Sequence, residues 1–150
     1  MIPDIKLTFM DRAALSTSAT GLALLGNQPD LGLGGKVGTG TPVYVVIVVN
    51  EQVTSGGAAT VSFELVSDAQ AAIAVDGTAT RHYKSAAFPV ASLVPGYTIA
   101  IPLPGGKPIY ERFIGLLQDV GGFVLTGGKI SAFFAFDPQD WHAYDSLSNP

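Results

Sequence analysis

Residues Tyr110–Asp137 read YERFIGLLQDVGGFVLTGGKISAFFAFD. Two apolar runs, Ile109–Gln118 and Lys129–Phe136, flank a glycine-rich connection, and no 3.6-residue period links them. Short apolar runs bounded by Gly and Pro signal buried β-strands. In the second run Ile130, Ala132, Phe134 and Phe136 fall on one face, since strand side chains alternate. The stretch contains strands and turns and no recognisable catalytic pattern.

Moving outward, the same reading repeats. Pro42–Asn50 (PVYVVIVVN) is β-branched and apolar on both faces, which predicts a central strand. Thr54–Ala58 (TSGGA) predicts a turn. Thr60–Val66 (TVSFELV) alternates, with Val61, Phe63 and Leu65 inward and Thr60, Ser62 and Glu64 outward. Ala71–Val75 is read as alternating, with Ile73 and Val75 inward, before an Asp76-Gly77 turn and a short strand in Thr78–Lys84. Phe88–Val94 is irregular. Tyr97–Leu103 (YTIAIPL) alternates, but Pro102 has no N–H to donate, so this strand lies at an edge or ends there. About eight strands and no helix predict an all-β chain: an antiparallel β-sandwich of jelly-roll type. The expected core includes Val45, Ile47, Val49, Phe63, Leu65, Ile101 and Phe134.

Composition sets limits on function. One domain with a sizeable core fits 150 residues. Charged residues make up 13% of the chain, about half the usual ~25%. Two readings fit: a neutral surface of small residues, or a surface partly hidden against partners, because interface cores are poor in charge. A net charge of −4 with eight scattered Lys and Arg argues against binding nucleic acid through phosphates. With no cysteine, disulfides, thiolate nucleophiles and Cys-ligated metals are excluded. The N-terminus MIPDIKLTF lacks a signal-peptide pattern, and the longest apolar run, Pro42–Val49, is too short to cross a bilayer. The expectation is a soluble protein made in a cytoplasm, with neither a nucleic-acid nor a membrane partner.

The sites that glycine and histidine suggest do not assemble on paper. In Gly32–Gly40, Val37 stands where a phosphate loop needs Ser or Thr after Lys36. In Gly122–Lys129 the spacing is one residue too long. His82 and His142 are sixty positions apart with no paired His, and no GxSxG elbow exists. Glu64 and Glu111 would serve as glycosidase acids only if the fold set them face to face. The expectation is a protein that is not an enzyme, with no catalytic residues, cofactor or metal.

Three pieces, in order, carry a resemblance. The first is GTGTPVYVVIVVNEQVTSGGAATVSFELVSD (Gly38–Asp68). The second is FPVASLVPGYTIAIPLP (Phe88–Pro104). The third is the YERFIGLLQDVGG and LTGGKISAFFAFD pair, in which Tyr-x-Arg opens a strand. Over about Gly38–Asp137 the chain resembles the jelly-roll capsid cement proteins of tailed bacteriophages. The resemblance implies a structural virion protein on the capsid exterior. There it would bridge neighbouring major capsid protein subunits and help the DNA-filled head withstand internal pressure. It also implies a homo-oligomer, a homodimer before a trimer. The alternative is a carbohydrate-binding or host-surface-binding β-sandwich module on the virion.

The expected organisation is an extended N-terminal arm (residues 1–41), a sandwich (42–137) and a C-terminal tail (138–150). Asp11–Leu25 has no steady period, and the arm is expected to hold short strands at most, at Ile5–Met10 and Leu31–Leu33. Ile5, Leu7 and Phe9 in the arm are candidate capsid or oligomer contacts. So are Trp141 and Tyr144 in the tail, which could instead dock on the chain's own sheet. On this reading, deleting Met1–Met10 leaves the sandwich folded and weakens attachment to shells.

Overall fold

A computed structural model of the protein describes residues 8–32, 42–103 and 110–136. Among these residues nine strands follow one another: β1 (Thr8–Ala14), β2 (Gly21–Leu25), β3 (Tyr44–Ser55), β4 (Thr60–Asp68), β5 (Thr80–Lys84), β6 (Phe88–Pro89), β7 (Thr98–Pro102), β8 (Phe113–Gly121) and β9 (Leu125–Ala135). A 3-10 turn, Val90–Ser92, follows β6. The strands form two antiparallel sheets, ordered β1-β9-β3-β7 and β2-β8-β4-β5, with β6 also paired to β4. The architecture is an all-β antiparallel sandwich.

The pairing is nested. β1 pairs with β9, β2 with β8, β3 with β7, and β4 with β5. The chain runs as a long antiparallel double strand whose successive pairs alternate between the sheets, with β9 also joining β3 and β8 joining β4. β8 and β9 therefore do not form a hairpin despite their short connection. They lie in opposite sheets, and Gly122–Val124 bridges the end of the sandwich.

Alternation decides what each sheet sends inward. Val45, Ile47 and Val49 of β3, Val61, Phe63 and Leu65 of β4, and Ile99 and Ile101 of β7 all enter the main core. So do Ile114, Leu116 and Val120 of β8 and Ile130 and Ala132 of β9, with Phe134 packed against them. β3 is central, between β9 and β7, and β7 is the edge strand that Pro102 requires.

The expected N-terminal arm is corrected by the fold. β1 and β2 are members of the two sheets, and Phe9, Met10, Leu15 and Leu25 belong to the core. Phe9 is fully buried, with its ring 5.0 Å from that of Phe134, so it is a core residue and not a surface contact. Two features hide these strands from pattern reading. In β1 the register slips between Met10 and Ala13, where Arg12 takes a left-handed φ of 47°, so a bulge breaks the alternation. In β2, Leu25 faces the main core while Leu22 and Leu24 pack on the opposite face, so no period appears.

Three smaller expectations also change. Residues 69–79 form a loop with no strand. Ile73 is buried against Val66 and Leu117 on the outer face of the second sheet, while Val75 is exposed. Gly115 provides the seat, because a Cβ there would stand 2.5 Å from Ile73 Cδ1. Glu64 does point outward, yet it is buried beneath Lys84 and Arg81 of β5. A second apolar cluster of Val46, Phe133 and Ala135 is buried on the outer face of the first sheet.

Candidate interaction surface

The described polar side chains act mainly as fasteners. Gln118 points into the core between Leu116 and Val120, fully buried, and its amide behaves like a peptide group. Its Oε1 accepts the Ser16 N–H at 3.0 Å and its Nε2 donates to the Ser16 carbonyl at 2.9 Å, which pins the β1–β2 loop. The Arg112 guanidinium grips both carboxylate oxygens of Asp30, at 3.0 and 2.8 Å. That contact holds Asp30 below the usual carboxylate range and raises Arg112. Lys84 bonds Asp119 at 2.7 Å and Glu64 at 2.9 Å, and these two carboxylates raise its pKa in that order. Lys129 pairs with Glu51 at 2.7 Å. Arg112, Lys84 and Lys129 are thus neutralised in local pairs.

The nearest approach to a catalytic constellation is Ser67, His82 and Glu111. Ser67 Oγ lies 2.7 Å from His82 Nε2 and accepts the Glu111 N–H at 3.1 Å. The hydroxyl is fully buried, which withholds it from any substrate. The Glu111 carboxylate accepts the Thr80 hydroxyl at 2.6 Å. The His82 ring lies against that of Tyr110, with centroids 4.4 Å apart and planes tilted by 45°. Burial pushes the His82 pKa down, against a smaller upward pull from Glu111, and burial raises that of Tyr110. These contacts tie Tyr110 and Glu111 to β4 and β5. Among the described residues no group of three or more His, Asp or Glu is placed to hold a metal. Glu64 lies in β4 within an ion network and Glu111 precedes β8, each committed to its own partners.

Of the candidate contacts, Ile5, Leu7, Trp141 and Tyr144 lie outside the described residues, as do the glycines of 33–40. Phe9 is in the core. The surface that does gather exposed apolar groups is one end of the sandwich, which sequence reasoning did not identify. Phe123 is 54% exposed and Val124 43%, both in the β8–β9 turn. The Phe123 ring lies over Gly57, where a Cβ would come within 2.7 Å of it. Gly122, at φ 84°, runs so close to the β3–β4 turn that a Cβ would meet the Ala58 carbonyl oxygen at 2.5 Å. Val94, 43% exposed, follows the 3-10 turn, and the neighbouring Leu93 carbonyl accepts the Val53 N–H at 3.1 Å. The β1–β2 loop reaches the same end, because Leu15 N–H bonds the Gly128 carbonyl and Gly21 pairs with Val120.

Among the described residues, the loops of this end carry no charge. The stretches 13–29, 52–63, 85–103 and 120–128 supply its loops, and none contains an Asp, Glu, Lys or Arg. The signal was present in the sequence as four gaps between charges, but only the sandwich brings the gaps together.

A search of the curated proteins finds none that matches this chain. The Bbp16 family model matches residues 11–134, which include most of β1, all of β2–β8 and nearly all of β9. On that coverage, the chain belongs to the Bbp16 family.

Proposed function

We propose that this protein is a structural component of a virion. It binds the outer surface of the capsid, cements neighbouring major capsid protein subunits, and acts as a homodimer without catalytic chemistry. The observation that carries the reading is the nested order of the sheets, β1-β9-β3-β7 against β2-β8-β4-β5. An order of this kind supports the jelly-roll type that the cement-protein resemblance leads one to expect. Membership in the Bbp16 family supports a virion-related domain. The polar groups support it too, since those described above are spent on fastening loops and strands. A neutral, partly apolar end suits contact with protein, because charge is depleted at the centre of protein interfaces.

A mass-spectrometric inventory of purified virions tests the proposal. The expected result is a fixed copy number in simple ratio to the major capsid protein, together with release of packaged DNA at milder stress from particles lacking the protein. Absence of the chain from purified particles would overturn the reading. A glycan-array screen with strong, specific binding would favour the host-surface alternative instead.

A further inference from the structure

Ile73 and the Glu64–Lys84–Asp119 network cover the second sheet, and Val46, Phe133 and Ala135 on the outside of the first are buried. The loop end differs, with Phe123, Val124 and Val94 exposed and charge missing from the described loops that form it. We propose that this end is the self-association surface, where a second copy of the chain docks end to end about a two-fold axis. The inference deepens the homodimer part of the reading above and rests on it.

The occupant follows from charge. In a two-fold contact the same patch appears on both partners, so any charge near the axis faces its own copy. Like charges brought together at an interface cost several kcal/mol. All 20 charged residues, with their net −4, lie outside the four stretches that build this end. Two copies can therefore bring these four stretches together without opposing like charges among them. Phe123 provides a large aromatic anchor of the kind that dominates interface energetics, with Val124 next to it in the chain and Val94 exposed at the same end. The neighbouring hydroxyls also pair within the chain, Thr126 Oγ1 with Thr54 Oγ1 at 2.9 Å and Ser16 with Ser18 at 3.1 Å. Burying them opposite a second copy leaves fewer unpaired donors.

Sedimentation equilibrium on the full chain tests the proposal. The wild type is expected to be a dimer at tens of micromolar. Val124→Lys and Val94→Lys each place a lysine within the contact and are expected to weaken dimerisation by about tenfold or more. Both sites are exposed, and an unchanged far-ultraviolet spectrum and melting temperature would show that the variants fold. Val75→Lys adds the same charge at another exposed valine, 44% accessible and on the 69–79 loop, and is expected to leave the dimer intact. A wild-type dimer that persists in folded Val124→Lys and Val94→Lys would overturn this assignment and leave the capsid reading standing. A wild type that remains monomeric would overturn the homodimer reading and this inference with it. Shell binding, measured separately, reports on the capsid role alone.

Discussion

Replacing Phe9 with Ala tests whether the N-terminal segment belongs to the sandwich. Its ring is fully buried and packs 5.0 Å from Phe134 at an interplanar angle of 47°. The Phe9 carbonyl accepts the Asn27 N–H at 2.6 Å, so the segment is held at its backbone as well as its side chain. Truncating a buried Phe to Ala costs about 3–5 kcal/mol, transfer and cavity combined. With a urea m-value of about 2 kcal/mol/M, the midpoint should fall by roughly 1.5–2.5 M. The melting temperature should drop by roughly 6–20 °C for a chain of this size. Phe9→Leu keeps most of the volume and should cost less than about 1.5 kcal/mol. Deleting residues 1–10 removes Phe9 and Met10 together and should consume most of a typical 5–15 kcal/mol stability, so the sandwich should fail to fold. A Phe9→Ala protein whose urea midpoint matches the wild type within about 0.3 M would refute the reasoning. It would restore the view of this segment as a detachable arm.

Further outcomes follow from other contacts. Gln118→Leu leaves the Ser16 N–H and carbonyl without their partner and should cost about 1–3 kcal/mol by chemical denaturation. Gly122→Ala places a Cβ on a residue at φ 84°, 2.5 Å from the Ala58 carbonyl oxygen, and should destabilise by more than about 1 kcal/mol in the same assay. Burial lowers the His82 pKa, so the native state takes up this proton less readily than the unfolded chain does. Its contribution to stability is complete above the ordinary value of 6.5 and is lost as pH falls from there through the native-state value. Melting temperatures recorded from pH 8 to pH 5 should therefore decline less for His82→Asn than for the wild type; parallel curves would contradict this.

The strands that could be read from the sequence were those whose packing is regular along the chain. In Thr60–Val66 every second residue is apolar, and in Pro42–Asn50 nearly every residue is, so local pattern alone implied inward faces and a central position. Pro102 marked an edge for an equally local reason, a missing donor. Partners were not legible, because period-2 alternation says which face is buried and nothing about what pairs beside it. That is why the short β8–β9 connection did not reveal that its strands belong to opposite sheets. β1 and β2 stayed hidden because the bulge at Arg12 breaks one pattern and the loop residue Ile73 gives β2 a second apolar neighbour. By itself the sequence determined an all-β chain, low in charge and lacking cysteine. The tertiary structure decided that four uncharged stretches, far apart along the chain, meet at one end around Phe123. The physical reason is that nested pairing of first strand with last is a long-range choice, made by the whole core at once and by no single segment.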